Sequence, residues 1–287
     1  MFEANETLEA ALARNVRDAL MEDIGRGDWT AQLVPAHHRV RAQVVAKEGA
    51  VIAGRPWFDA CVKALDAEAR LDWSVEEGQR VEPGTVVVAV AGDARALLSA
   101  ERPALNFLQM LSAVATNTRQ YVDAIAGVSP NPRGCKMLDT RKTLPGLRQA
   151  QKYAVRMGGG TNHRMALWDG ILIKENHIAA AGGIRQALEA AFALNAGVDV
   201  QIEVESLEEL REALEAGAQN VLLDDLSFED MARACALNAG RAVLEVSGGV
   251  DLDSIRRIAA TGVDRISSGK LTKDVRAVDL SMRVITA

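Results

Sequence analysis

The sequence predicts an α/β protein in which an α+β part precedes a parallel β/α barrel. Two textures along the chain carry this. Residues 1 to about 100 hold a helix and then short strand-like stretches broken by Gly and Pro. From Lys136 onward, six short apolar runs alternate with five helical segments over about 135 residues, the pattern of parallel strands with helical crossovers. Either a doubly wound sheet or a barrel fits that pattern. Helices stand between nearly all the strands and no G-x-G-x-x-G opens a turn, which favours the barrel.

The apolar spacing predicts a first helix over residues 8–21 and a short one over 57–67. Strands are predicted at 40–47, 50–53, 71–75 and 85–90, with turns at Gly49, Gly54, Gly78, Pro83 and Gly84. Within them, residues 74–92 run V-x-x-G-x-x-V-x-x-G-x-x-V, like half of a biotinyl or lipoyl carrier domain. No Lys occurs between Lys63 and Lys136, so these residues read as structural strands. A long helix is predicted over roughly 100–125, capped by Ser99, with Pro103 in its first turn and Leu105, Leu108, Leu111 and Ala115 on one face. The barrel strands are predicted at 136–139, 170–174, 200–205, 220–224, 242–246 and 263–267. The helices between them are predicted at 147–157, 184–195, 207–216, 228–238 and 252–261.

Composition narrows the function. The 287 residues carry 33 Lys and Arg against 39 Asp and Glu, an acidic balance that argues against a nucleic-acid partner. No apolar run approaches the ~20 residues that a spanning helix needs. The first twenty residues have no continuous apolar stretch of secretory type, so a cytoplasmic location is expected. The three cysteines, Cys61, Cys135 and Cys235, form no C-x-x-C pair and read as free, packed thiols.

Ligands of parallel β/α folds sit at the C-terminal edge of the strands. Each predicted strand ends in polar residues: Asp139 and Arg141, Lys174, Glu203 and Glu205, Asp224 and Asp225, Glu245 and Ser247, Ser267 and Ser268. Successive endings of this kind read as a ring of functional groups at one mouth, about half of them ordinary loop starts. The last two are glycine-rich, Ser247-Gly248-Gly249 and Ser268-Gly269-Lys270, and suit a phosphate cradled by backbone N–H groups.

From Arg133 to Asn176 there are nine basic residues and three acids, a local cationic block that calls for a small anionic ligand. Arg141, His163 and Arg164 can jointly hold a dicarboxylate, since guanidinium groups fork onto carboxylates. Lys142 and Lys174 are point charges suited to phosphate, and Gly158-Gly159-Gly160 lets a loop fold over the ligand. Arg148, Lys152 and Arg156, four residues apart, read as a solvated helix face. Glu203 and Asp224, on adjacent strand ends, can take Mg²⁺, directly or through water, and a ribose hydroxyl. Phosphate, metal and carboxylate cage together point to phosphoribosyl transfer.

The blocks LDTRKTLPGLRQAQKYAV, GGGTNHRMALWDGILIKENHI, IEVES, VLLDD and EVSGGV, with EDIGRGDWT and SAERPALNFLQMLSAVAT upstream, resemble the signature blocks of the quinolinate phosphoribosyltransferases over nearly the whole chain. The resemblance implies an N-terminal open-faced sandwich (residues 1–114), an incomplete TIM-like barrel (115–275) and a tail (276–287) packing with the first domain. It implies conversion of quinolinate and phosphoribosyl pyrophosphate to nicotinate mononucleotide, pyrophosphate and CO2, with Mg²⁺. It also implies a homodimer in which Arg102 reaches the partner's site. By the same resemblance Arg141, His163 and Arg164 match the quinolinate binders, and Lys142 and Lys174 match positions facing phosphates and substrate. Glu203 and Asp224 match the acids at the ribose and metal, and Ser247, Gly248 and Gly269 match the 5′-phosphate site, with Gly249 and Ser268 beside them among the substrate-binding residues. The chain departs from the family at Lys273, where histidine is usual, and at Asp225, where Asn is frequent. A relative acting on another aromatic acid and a non-catalytic phosphosugar sensor are the alternative readings.

Overall fold

The structure, a computed structural model, describes residues 5–285. In chain order it runs α1 (Leu8–Ile24), β1 (Arg39–Ala46), β2 (Ala50–Val51), α2 (Arg55–Leu65), β3 (Arg70–Trp73), β4 (Arg80–Val81), β5 (Val86–Asp93) and α3 (Ala94–Ile125). Then follow β6 (Lys136–Leu138), α4 (Arg148–Met157), β7 (Ile171–Ile173), α5 (Glu175–Ala181), α6 (Ile184–Ala193), β8 (Val200–Val204), α7 (Leu207–Glu215) and β9 (Asn220–Asp224). The chain ends with α8 (Phe228–Asn238), β10 (Val243–Ser247), α9 (Ile255–Ala260), β11 (Arg265–Ser267), α10 (Lys270–Lys273) and β12 (Leu280–Ile285). It divides into two compact units, one of residues up to 119 with 143–159 and those from 272, the other of residues 120–142 and 160–271. Residues 143–159, which the sequence reading set within the barrel, thus group with the first unit.

The first unit is built on an antiparallel sheet in the order β12-β1-β5-β3. Alternation along β1 buries Ala42, Val44 and Ala46 and leaves the residues between them partly exposed, as a sheet covered on one face requires. Its core gathers Trp57 and Phe58 of α2 with Leu105, Leu108 and Leu111 of α3, all essentially inaccessible to water. Each such side chain contributes about 1.5–3 kcal/mol by leaving water. The last strand, β12, pairs with β1 from Arg41↔Ile285 to Ala46↔Leu280 and covers that edge.

Helices α3 and α4 both depart from the arrangement that their spacing predicts. Helix α3 begins at Ala94, earlier than the spacing predicts, because buried Ala94 and Leu97 continue its apolar face upstream. Asp93, not Ser99, caps it, its carboxylate accepting from Ala96 N–H at 3.1 Å. Ser99 lies inside the helix and donates its hydroxyl to Asp28 at 2.8 Å. Pro103 is therefore interior and leaves the Ser99 carbonyl without its helical donor. On α4, Lys152 is fully buried rather than part of a solvated face. Spacing reports which residues share a face but not which face meets the core.

The second unit carries six parallel strands in the order β6-β11-β10-β9-β8-β7. The two edge strands do not pair with each other, and one bridge, Leu138↔Thr161, lies beside β6, so the barrel is incomplete. Register partners in parallel strands point to the same side. One face presents Met137, Ile202, Val204, Val221, Leu223, Leu244, Val246 and Ile266, all at most 2% exposed, which form the core of this unit. The opposite face is polar. The pairings Glu203↔Leu222, Glu245↔Leu222, Glu245↔Arg265 and Arg265↔Lys136 set two acids and two bases in one layer across it. Gln201 pairs with Asn220 in the next layer.

Candidate active site

The loop after β6 is tied down by Asp139, which is fully buried. Its Oδ1 accepts from the backbone N–H of His163 at 2.9 Å and its Oδ2 from the side chain of Asn162. Asp169 closes the turn that follows, accepting from Met165 N–H at 2.6 Å and Ala166 N–H at 2.8 Å. Arg164 is held between these two clamps and folds over Gly170, donating from Nη1 to the Gly170 carbonyl at 2.9 Å. A Cβ on residue 170 would lie 3.2 Å from the Cβ of Arg164, so a glycine is what allows that approach. Burial pulls the Arg164 guanidinium below its usual range, and the nearby charge of Arg141 adds to this, with Asp169 opposing. Two arginines close enough to repel each other at a half-buried site favour an anion between them.

Lys174 ends the β7 edge and starts α5, a helix that the sequence reading did not separate. Its Nζ donates to Glu203 Oε2 at 2.7 Å, joining neighbouring strands. Glu203 is buried while the Lys174 side chain is 46% exposed, so the pair is worth about 1 kcal/mol and the ammonium can turn toward a ligand. Lys142 is exposed and its side chain lies against Gly269, where a Cβ would come 2.8 Å from Lys142 Cδ.

Asp224 closes β9 and faces the turn after β10. Gly248 has φ 84°, a backbone that favours glycine, and a Cβ there would sit 2.9 Å from Asp224 Oδ1 and displace that carboxylate. Gly249 follows at φ 59°. Ser247, Gly248 and Gly249 line a cleft of about 840 Å³ together with Glu205, Asp224 and Asp225. Ser268 is buried and its hydroxyl is engaged with Val250 O and Lys270 N at 3.3 Å each, so its side chain supports the turn.

His163 and Arg164 border a second cavity of about 390 Å³, with Gln201, Lys136, Asn220 and Arg265. Lys136, Asn220 and Arg265 begin their strands, so the polar face is lined from its N-terminal side as well as at the C-terminal mouth. Glu245 is likewise not at the mouth. It sits in the middle of β10 and is fully buried, because the strand runs on to Ser247. The three glycines at 158–160 also have another use: a Cβ on Gly158 would lie 2.5 Å from the Ala115 carbonyl, so this glycine lets α4 end against α3. Arg102 lies exposed on α3, and Lys273 is exposed beside Asp274 at 3.9 Å.

Among the described residues, no three His, Cys, Asp or Glu side chains converge into a ready-made metal cage. Glu203, paired with Lys174, and Asp224, at the end of the neighbouring strand, are carboxylates of the kind Mg²⁺ takes beside its waters and phosphate oxygens. Gln201 carries no functional signal in the sequence. A glutamine in a strand gives no signal until its neighbours across the sheet are known.

Two family models match. The quinolinate phosphoribosyl transferase N-terminal domain covers residues 28–112 and the C-terminal domain covers 114–283. A nicotinate-nucleotide pyrophosphorylase (carboxylating) of Mycobacterium leprae is 40% identical over 277 residues, 93% of this chain and 95% of its own. A probable nicotinate-nucleotide pyrophosphorylase (carboxylating) of Synechocystis sp. is 42% identical over 270 residues, 93% of this chain and 90% of its own. The solved structure of the nicotinate-nucleotide pyrophosphorylase from Francisella tularensis superposes with a TM-score of 0.92 at 42% identity, covering 98% of both chains. With both domain models matched in order over most of its length, this chain belongs to the quinolinate phosphoribosyl transferase family.

Proposed function

We infer that this chain transfers the phosphoribosyl group of phosphoribosyl pyrophosphate to quinolinate, giving nicotinate mononucleotide, pyrophosphate and CO2 in NAD biosynthesis. The observation that carries the reading is the family match across both domains; the neighbouring charges of Arg141 and Arg164, the Lys174–Glu203 pair and the glycine-rich turn at 247–249 support it.

In the proposed reaction the pyridine nitrogen attacks ribose C1 while the C1–oxygen bond to pyrophosphate breaks, its electron pair leaving with the pyrophosphate. The adjacent carboxylate then departs as CO2, its bonding electrons stay on the ring carbon, and that carbon takes up a proton. Arg141 and Arg164 grip the carboxylates and hold the ring so that its nitrogen faces C1. Lys142 and Lys174 meet the charge that develops on the leaving group. Glu203 and Asp224 favour the positive character of the ribose. The amide-lined turns at Ser247-Gly248-Gly249 and Ser268-Gly269 hold the 5′-phosphate. Mg²⁺, when bound with the phosphates at Glu203 and Asp224, supplies charge neutralisation of the pyrophosphate. Arg102 completes the site from a partner subunit of a homodimer, and the enzyme works in the cytoplasm.

The test is direct. Purified protein is mixed with Mg²⁺, phosphoribosyl pyrophosphate and quinolinate, and CO2 and nicotinate mononucleotide are measured. Turnover of a different aromatic acid in place of quinolinate, or binding without any turnover, overturns the reading.

A further inference from the structure

The polar face of the sheet holds a hydrogen-bonded chain that runs from Glu245 through Gln201 and His163 to the backbone of Arg164. It starts at Glu245 in the middle of β10, whose side chain is 1% exposed. Glu245 Oε2 accepts from Gln201 Nε2 at 3.1 Å. Gln201 Oε1 lies 3.0 Å from His163 Nε2. His163 Nδ1 in turn faces the backbone N–H of Arg164 at 2.8 Å. The other carboxylate oxygen, Glu245 Oε1, lies 3.5 Å from the same Nε2 and accepts no hydrogen bond.

Each link fixes the next. A carboxylate only accepts, so Gln201 must turn its NH2 toward Glu245. That leaves the amide oxygen facing His163, and an oxygen there requires a proton on Nε2. Nδ1 then keeps the lone pair that the Arg164 N–H needs. Reversing the amide sets oxygen against carboxylate at one end and N–H against N–H at the other. Both ends therefore select the same direction. Gln201 and Glu245 are buried, which makes a mismatch costly. The unpaired Glu245 oxygen adds negative charge beside the proton on Nε2.

We propose that Gln201 and Glu245 are positioning residues for quinolinate recognition. They fix the ring and tautomer of His163 and, through it, the backbone of Arg164, whose guanidinium grips the substrate. The proposal rests on the assignment of Arg164 to quinolinate made above.

The variants Gln201→Met and Glu245→Gln and their double variant test it, by kinetics on both substrates and by ¹⁵N spectra of the four imidazoles. The wild type is expected to show His163 as one tautomer with Nε2 protonated. Gln201→Met should blur that signature and raise KM for quinolinate about tenfold, leaving kcat and KM for phosphoribosyl pyrophosphate within about twofold. Glu245→Gln should move the same readouts in the same direction. The double variant should be no worse than Gln201→Met, because Glu245 acts through Gln201. An unchanged His163 signature and quinolinate KM in folded Gln201→Met overturn the proposal, as do losses that multiply in the double variant. Should Gln201→Met fail to fold, Glu245→Gln, which keeps size and shape, decides it by the same spectra. Should the wild type not convert quinolinate, the reading of the reaction falls, while the spectra still decide whether the chain fixes the ring.

Discussion

Arg164 is the residue on which recognition turns, and its surroundings say what its loss does. It is clamped on both sides by carboxylate-held turns and repelled by Arg141. Arg164→Ala should lower kcat/KM for quinolinate by roughly 2–5 kcal/mol in transition-state binding, by comparison with truncating one partner of a buried charge pair. Steady-state kinetics at saturating phosphoribosyl pyrophosphate read this, and a wild-type value removes Arg164 from the site. Gly248→Ala places a Cβ against Asp224 at a backbone angle of φ 84°. That angle alone costs about 1–2 kcal/mol. The variant should lose stability in thermal melts and weaken phosphoribosyl pyrophosphate binding, and a variant matching the wild type in both shows that the turn does not need its glycine. The cysteines take no part: burial pushes the thiols of Cys61 and Cys135 up to about 12 and that of Cys235 up to about 11. Iodoacetamide at neutral pH should therefore leave activity intact.

At the scale of elements, close approach decides more than composition. The end of α4 meets α3 at Gly158, whose backbone is ordinary helix with φ −71°, so only space demands glycine. Gly158→Ala should destabilise by about 1–3 kcal/mol through overpacking, measured by denaturant unfolding. Helix α2 is capped from outside itself, by Glu77, which accepts from Gly54 N–H at 3.0 Å and Arg55 N–H at 2.6 Å. Burial holds the Glu77 carboxyl above its ordinary range, with those two N–H groups opposing. The folded state thus binds this proton more tightly than the unfolded chain. Its contribution to stability is full below the ordinary carboxyl range and is lost as pH rises through the raised value. The stability of wild type relative to Glu77→Gln should fall over that window in unfolding measured from about pH 4 upward; a flat difference contradicts the shift.

At the scale of the whole molecule, the proposed sharing of Arg102 across a homodimer has a test that needs no structure of the complex. Arg102→Ala and Arg164→Ala should each be nearly inactive. Unfolded together and refolded, they should regain about a quarter of wild-type activity, since half the dimers are mixed and each has one intact site. No recovery contradicts a shared site.

The alternation of apolar runs and helices from Lys136 onward is enough to predict the parallel strands, and all six appear with boundaries within two residues of those predicted. The glycines at 248 and 269, and the charges at 141, 142, 164, 174, 203 and 224, could be placed at strand ends or turns from chain order alone, and the structure sets them there; their roles remain the proposal above. Lys152, Glu245 and Gln201 were not legible. Their meaning depends on which face of an element meets what, and a repeat of two or 3.6 residues does not name its neighbour. The sequence by itself determined the family, the alternation of the six parallel strands with helical crossovers and the chemistry available. Only the tertiary structure decided that Lys152 is buried, that Gly158 serves helix packing, and that a carboxylate, an amide and an imidazole from three distant segments join into one chain behind Arg164. Such contacts follow from strand order and register, which bring together residues 38 and 44 positions apart through hydrogen bonds that no local pattern encodes.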